Sequence, residues 1–126
     1  MGLLLTVVVH AANIQDRDGA KLVFKRTPAW VKRLKTIWAD GGYAGKLIDA
    51  AKELHGWTLT IIKRSDGVQG FKVLPKRWLV ERTFAWFDNY RRPSKDYEYH
   101  PETSETMIYI AMIHLMVRRL ARCSAF

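Results

Sequence analysis

Two carboxylates stand where they could take part in phosphoryl chemistry. The first is Asp40, in the stretch TIWADGGYAG over residues 36–45. It ends a short apolar run of Ile37, Trp38 and Ala39, and Gly41, Gly42 and Tyr43 follow at once. A turn explains an acid followed by glycines. A metal-bound acid explains them too, because two glycines let backbone or a phosphate come close. The second is Glu81, in KRWLVERTFAWFDNYRR over residues 76–92. On a helical projection Arg77, Asp88 and Arg92 fall within about 40° of Glu81, while Leu79, Val80, Thr83, Trp86, Phe87 and Tyr90 take the far side. Arg77 and Glu81 can be an i,i+4 pair on a solvated face, worth a few tenths of a kcal/mol. They can equally be an acid held in a basic groove beside a phosphate.

Metal-dependent phosphoryl transfer is the chemistry that would use such residues. Mg²⁺ takes hard oxygen ligands in octahedral geometry, and two ions about 3.5–4 Å apart clamp the attacking and leaving oxygens. Carboxylates must then converge from separate elements, one at a strand end (Asp40) and one on a later helix (Glu81). Arg77, Arg82, Arg91 and Arg92 would supply contacts to phosphates. Lys32, Arg33 and Lys35 could add to them, Trp78 could stack on a base, and Tyr43 could cover the turn or touch DNA.

Composition fits a polyanionic partner. Lys and Arg total 21 against 12 Asp and Glu, a formal +9, which favours DNA, RNA or an acidic membrane surface. At 48% hydrophobic and 26% charged residues the chain is globular rather than disordered. Cys123 is the sole cysteine, so no intramolecular disulfide can form, and a reducing cytoplasm is the simplest expectation. MGLLLTVVVHAA has no positive region ahead of its apolar run, so it reads as a buried strand rather than a secretory signal. The apolar stretch from Met107 to Val117 is too short to span a bilayer. His10, His55, His100 and His114 show no metal-ligand spacing; His114 is expected in the core and His10 in a structural role.

The elements that must position these groups follow in order. LLLTVVV, residues 3–9, reads as a strand buried on both faces. Asp16 or Asp18 can cap a helix running to about Arg26. KTIWAD is a second strand, GKLIDAAKELHG a helix stopped by Gly56, and WTLTIIKR a third strand. SDGVQG, 65–70, is a turn, and Pro75 opens the helix that carries Glu81. A last helix from about Thr103–Glu105 to Arg122 is apolar nearly all round, so it should be well buried or packed on a partner. The layout is α/β with a small sheet, read as one domain over residues 1–126.

IWADGGYAG and LPKRWLVERTFAWFDNYRRPSKDYE resemble the second and third catalytic blocks of bacterial insertion-sequence transposases of the D-D-E class. The similarity runs from GLLLTVVVHAANIQDRDGA to the last helix. It implies a ribonuclease-H-like core, a small mixed sheet flanked by helices, and a site holding two Mg²⁺ or Mn²⁺ ions. Asp40 corresponds to the family's second metal-binding Asp and Glu81 to its Glu. Arg77 matches the basic residue of the Tyr-Arg-Glu-Lys signature. Leu74 stands where that signature has Tyr, and Asp88 where it has Lys, with basic residues following at Arg91 and Arg92. In relatives the first catalytic Asp lies on a strand just ahead of the LGLLL stretch. The expectation is therefore an N-terminally truncated domain with an incomplete ion site and little or no catalysis alone. Asp16 and Asp18 are poor substitutes, since helix capping explains them.

The implied activity is DNA transposition: metal-dependent strand cleavage, then attack of the freed 3′-hydroxyl on target DNA. The partners would be element ends, target DNA, and a transposase oligomer or an upstream-encoded part, with no membrane. The alternative is a non-catalytic DNA-binding or transposase-binding regulatory fragment, or a decayed remnant. A sheet lacking its first strand would also expose an edge at LLLTVVV and promote self-association.

Overall fold

The computed structural model describes residues 3–28, 30–62, 77–95 and 97–123, with Arg77 described by its backbone alone. The turn expected at 65–70, Leu74 and Pro75 lie outside the described residues. The chain forms two compact units, residues 10–78 and residues 1–9 with 79–126.

The unit spanning residues 10–78 is built on a βαβ motif. Helix α1 (Asp16–Arg26) precedes strand β1 (Thr36–Asp40), a 3₁₀ turn (Gly41–Tyr43), helix α2 (Lys46–His55) and strand β2 (Thr58–Ile62). The strands pair in parallel, from Thr36 opposite Thr58 to Asp40 opposite Ile62. Parallel neighbours need a crossover, and α2 supplies it. Its polar and apolar residues separate onto two faces, with Leu47 and Ala51 turned inward. Gly56 takes the left-handed conformation at φ 69°, and nested bonds from Gly56 N–H to Lys52 O and from Trp57 N–H to Ala51 O close the helix in a Schellman motif. The core joins Phe24, Leu47, Ala51, Trp57 and Leu59. Phe24 meets Trp57 edge-on at 5.7 Å, while His55 stacks on Trp57 at 4.0 Å and donates from Nε2 to Phe24 O. Asp16 and Asp18 are not caps: Gln15 is the N-cap, and both acids lie inside the first turn, where they favour the positive helix end.

The other unit holds α3 (Arg77–Asp88) from Leu79 onward and α4 (Pro101–Cys123). Its core is Phe87, Ala111 and Met112, with Leu3, Leu4, Trp86 and Tyr90 packed against it. Residues 3–9 form no strand, which corrects the reading of LLLTVVV. Leu3 and Leu4 lie against the α3–α4 core, while Leu5 is exposed. Val7 N–H donates to Tyr109 Oη and Val9 N–H to Glu105 Oε1, so α4 side chains accept bonds that a neighbouring strand would have taken. The exposed sheet edge expected there, and the self-association argued from it, lose their basis. The sheet among the described residues is two-stranded and parallel, not mixed.

Helix α4 starts at Pro101, a residue suited to a first turn that needs no N–H. Of the two expectations for this helix, burial or packing on a partner, burial does not hold. Only Ala111 and Met112 are buried, while Ile110, Ile113, Val117 and Leu120 are exposed. No helix among the described residues is long and apolar enough to cross a membrane.

Candidate functional site

Asp40 closes β1 at its carboxyl end, the edge of a parallel sheet where α/β proteins place ligands. Its backbone is extended, at φ −80° and ψ −179°, and Oδ1 accepts a hydrogen bond from Gly42 N–H at 3.0 Å. The carboxylate is exposed. A Cβ on Gly41 would meet nothing within 4 Å, and one on Gly42 would meet Asp40 Oδ1 at 3.2 Å. The two glycines therefore leave the flank of the acid open. The turn suggested by TIWADGGYAG exists, and the carboxylate that caps it is exposed.

Tyr43 ends the same turn, half-buried. Burial holds its phenol above the ordinary tyrosine value, and the negative charges of Asp16 and Asp40 add to the effect. The first turn of α1 thus brings a second acid into the surroundings of the Asp40 turn, a proximity without local signal in the sequence. Asp18 pairs with Lys21 at 2.9 Å, and that hydrogen bond and charge hold its carboxyl below the usual range. It is a helix-surface ion pair.

In the other unit, Glu81 is exposed on α3. Arg77 opens the helix one turn before it, and Asp88 closes the helix two turns later. Arg92 lies beyond the helix end, where its Nη1 pairs with Glu98. Arg91 is exposed in the same turn. Arg82 stacks its guanidinium on Trp86 at 4.5 Å, and Arg119 from α4 stacks on the same ring at 4.6 Å. The Arg82–Trp86 contact was legible from i,i+4 spacing; Arg119 had no such signal. Phe87 is buried with Trp86 and Tyr90 beside it, as the projection implied, but Val80 is 57% exposed and leaves that packing face.

The histidines divide as follows. His10 donates from Nδ1 to Ala11 O and lies over Gly19, a structural setting. His114 is exposed rather than in the core, with Nδ1 2.8 Å from Tyr90 Oη. At about 100° per residue it falls on the flank of α4, off the face that carries Met112, Leu115 and Met116, which accounts for the difference.

A family model described as a transposase DDE domain matches residues 1–116. The chain belongs to the DDE transposase family. No curated protein and no solved structure matches it. Membership supports a role in transposition, and the family generally uses divalent metal. Asp40 suits a hard cation in type and exposure, and so does Glu81. Among the described residues, however, no group of three or more His, Cys, Asp or Glu side chains could hold an ion. The DDE transposase chain therefore presents candidate donors without an assembled ion centre among the residues described.

Proposed function

We propose that this chain supplies two carboxylates and a basic surface to a DNA-strand-processing domain with a ribonuclease-H-like core, acting in transposition. Asp40 and Glu81 are the metal-binding acids. Arg77, Arg82, Arg91 and Arg92 contact DNA phosphates at element ends and target. The carrying observation is Asp40 itself: an exposed carboxylate at the carboxyl end of a parallel strand, oriented by Gly42 N–H and flanked by glycines. A bound Mg²⁺ or Mn²⁺ pair would activate the attacking oxygen and stabilise the leaving one. The chain's own residues orient that work. The Gly42 amide fixes one oxygen of Asp40, and the arginines neutralise the DNA backbone, whose charge dominates affinity.

Affinity cleavage tests the reading without requiring turnover. Fe²⁺ with ascorbate and peroxide is added to the full chain, and the peptide fragments are mapped. Cuts clustered near residues 40 and 81, suppressed by Mg²⁺ and reduced in Asp40→Asn and Glu81→Gln, are expected. Cuts that ignore both substitutions would overturn the assignment of these acids.

A further inference from the structure

We infer that the exposed face of α4 docks on a second copy of this chain, in an antiparallel helix pair that sets Ile113 of each copy against Val117 of the other; this stands apart from the DNA-processing reading. The face is a stripe of Ile110, Ile113, Val117 and Leu120, which are 53%, 54%, 56% and 66% exposed. Steps of three, four and three residues keep the four within about 80° of one another around the helix. That is the spacing by which one helix seats its side chains between those of another. An apolar stripe that packs on a globular core is wider, about 100° or more.

Two features identify the partner as a second copy. The first is the spacing, which reads the same in both directions. A reversed copy therefore presents matching positions, with Ile110 level with Leu120 and Ile113 level with Val117, in a self-complementary two-fold contact. The second is charge, which sets the direction. The acids of α4, Glu102 and Glu105, lie near its start, and Arg118, Arg119 and Arg122 lie near its end, with no Lys, Arg, Asp or Glu between. A parallel pair would gather the arginine ends of both copies, whereas an antiparallel pair turns each toward the acidic end of the other. The helix dipoles favour the same direction. Four apolar residues make a short seam, so the dimer should be weak and reversible, with a Kd of micromolar order or above.

The test is analytical ultracentrifugation of the full chain, nuclease-treated and in EDTA, at about 0.5 M salt, where bridging by DNA is screened. A reversible monomer–dimer equilibrium is expected. Ile113→Glu and Val117→Lys each put an unpaired charge into the seam and should raise the dimer Kd about tenfold or more. Both positions are exposed, so helicity by circular dichroism should hold. An equimolar mixture of the two variants should pair again, because the new acid of one chain then faces the new lysine of the other. Spin labels on the exposed Cys123 give the geometry without altering the seam. They should lie about 24 Å apart along the helix axis, at about 1.5 Å per residue, whereas a parallel pair would set them level. A parent that stays monomeric at about 100 µM overturns the inference. The stripe is then covered by another part of the chain or, where the monomer sediments with phosphatidylcholine vesicles, by a bilayer. A dimer that both variants leave intact, or labels that lie level, overturns it as well. None of these outcomes bears on the acids and DNA contacts proposed above.

Discussion

Gly42 donates its backbone N–H to Oδ1 of Asp40 over 3.0 Å, so the acid assigned to metal binding also caps the turn that follows it. The two roles separate by substitution. Asp40→Ala removes the acceptor and should cost about 1 kcal/mol, as loss of a capping side chain does. Asp40→Asn keeps an oxygen in that place and should hold stability within about 0.5 kcal/mol. Urea midpoints of the two variants measure this. Equal losses in both would mean that the charge, not the cap, carries the effect.

Two glycines in the same unit should resist alanine for backbone reasons. Gly45 sits at φ 94° and ψ −141° ahead of α2, and Gly56 at φ 69° behind it. A Cβ at either would meet nothing within 4 Å, so the cost is conformational alone. Gly56→Ala should destabilise by about 1 kcal/mol. Gly45→Ala should cost more, about 1–3 kcal/mol, because its conformation is essentially reserved for glycine. Thermal melts rank the pair, and Gly56→Asn should recover part of the loss, since Asn tolerates the left-handed region. A Gly45→Ala variant as stable as the parent would show that α2 can start from another backbone geometry.

The sequence pattern made the βαβ motif legible because each element carries its own punctuation. Thr36–Asp40 ends on acid and glycines, Lys46–His55 is amphipathic and stopped by Gly56, and Thr58–Ile62 alternates. The N-terminal segment misled for a physical reason. A run such as LLLTVVV satisfies the composition of a buried strand, but pairing depends on what lies beside it. Here Leu3 and Leu4 pack on the α3–α4 core, and the amides of Val7 and Val9 bond to α4 side chains instead. For the same reason α4 looked buried: apolar residues spaced all round a helix do not say which of them find neighbours. Asp40 was legible in its turn, whereas the nearness of Asp16 to Tyr43 and of Arg119 to Trp86 depends on long-range packing that no local spacing encodes.

Alkaline pH should expose the setting of Tyr43. Its phenol is held above the ordinary value of about 10, first by burial and then by Asp16 and Asp40. A group whose folded pKa is raised contributes stability that is complete below its unfolded pKa and is lost as pH rises through the folded one. The contribution of Tyr43 is therefore full at neutral pH and declines above about pH 10. Urea midpoints from neutral to strongly alkaline pH should fall less steeply in Tyr43→Phe than in the parent. Asp16→Asn should bring the Tyr43 titration, followed by phenolate absorbance, to lower pH. Identical alkaline profiles for parent and Tyr43→Phe would place that phenol in ordinary solvent.

The Tyr90–His114 contact is a polar link between the turn after α3 and helix α4. Oη and Nδ1 lie 2.8 Å apart, and the rings meet edge-on with centroids 5.6 Å apart. The contact is exposed, so water competes for both partners and the bond should contribute about 0.5–1 kcal/mol, the low part of the usual range. Tyr90→Phe removes the hydroxyl and keeps the ring; His114→Leu removes its imidazole partner. Because the residues touch, the two losses should not add, and the double variant should be less destabilised than their sum by about the value of the bond. Urea unfolding of the parent, both single variants and the double variant closes that cycle. Strict additivity would mean that the ring packing of Tyr90 on the Phe87 cluster, rather than its hydroxyl, holds this end of the helix in place.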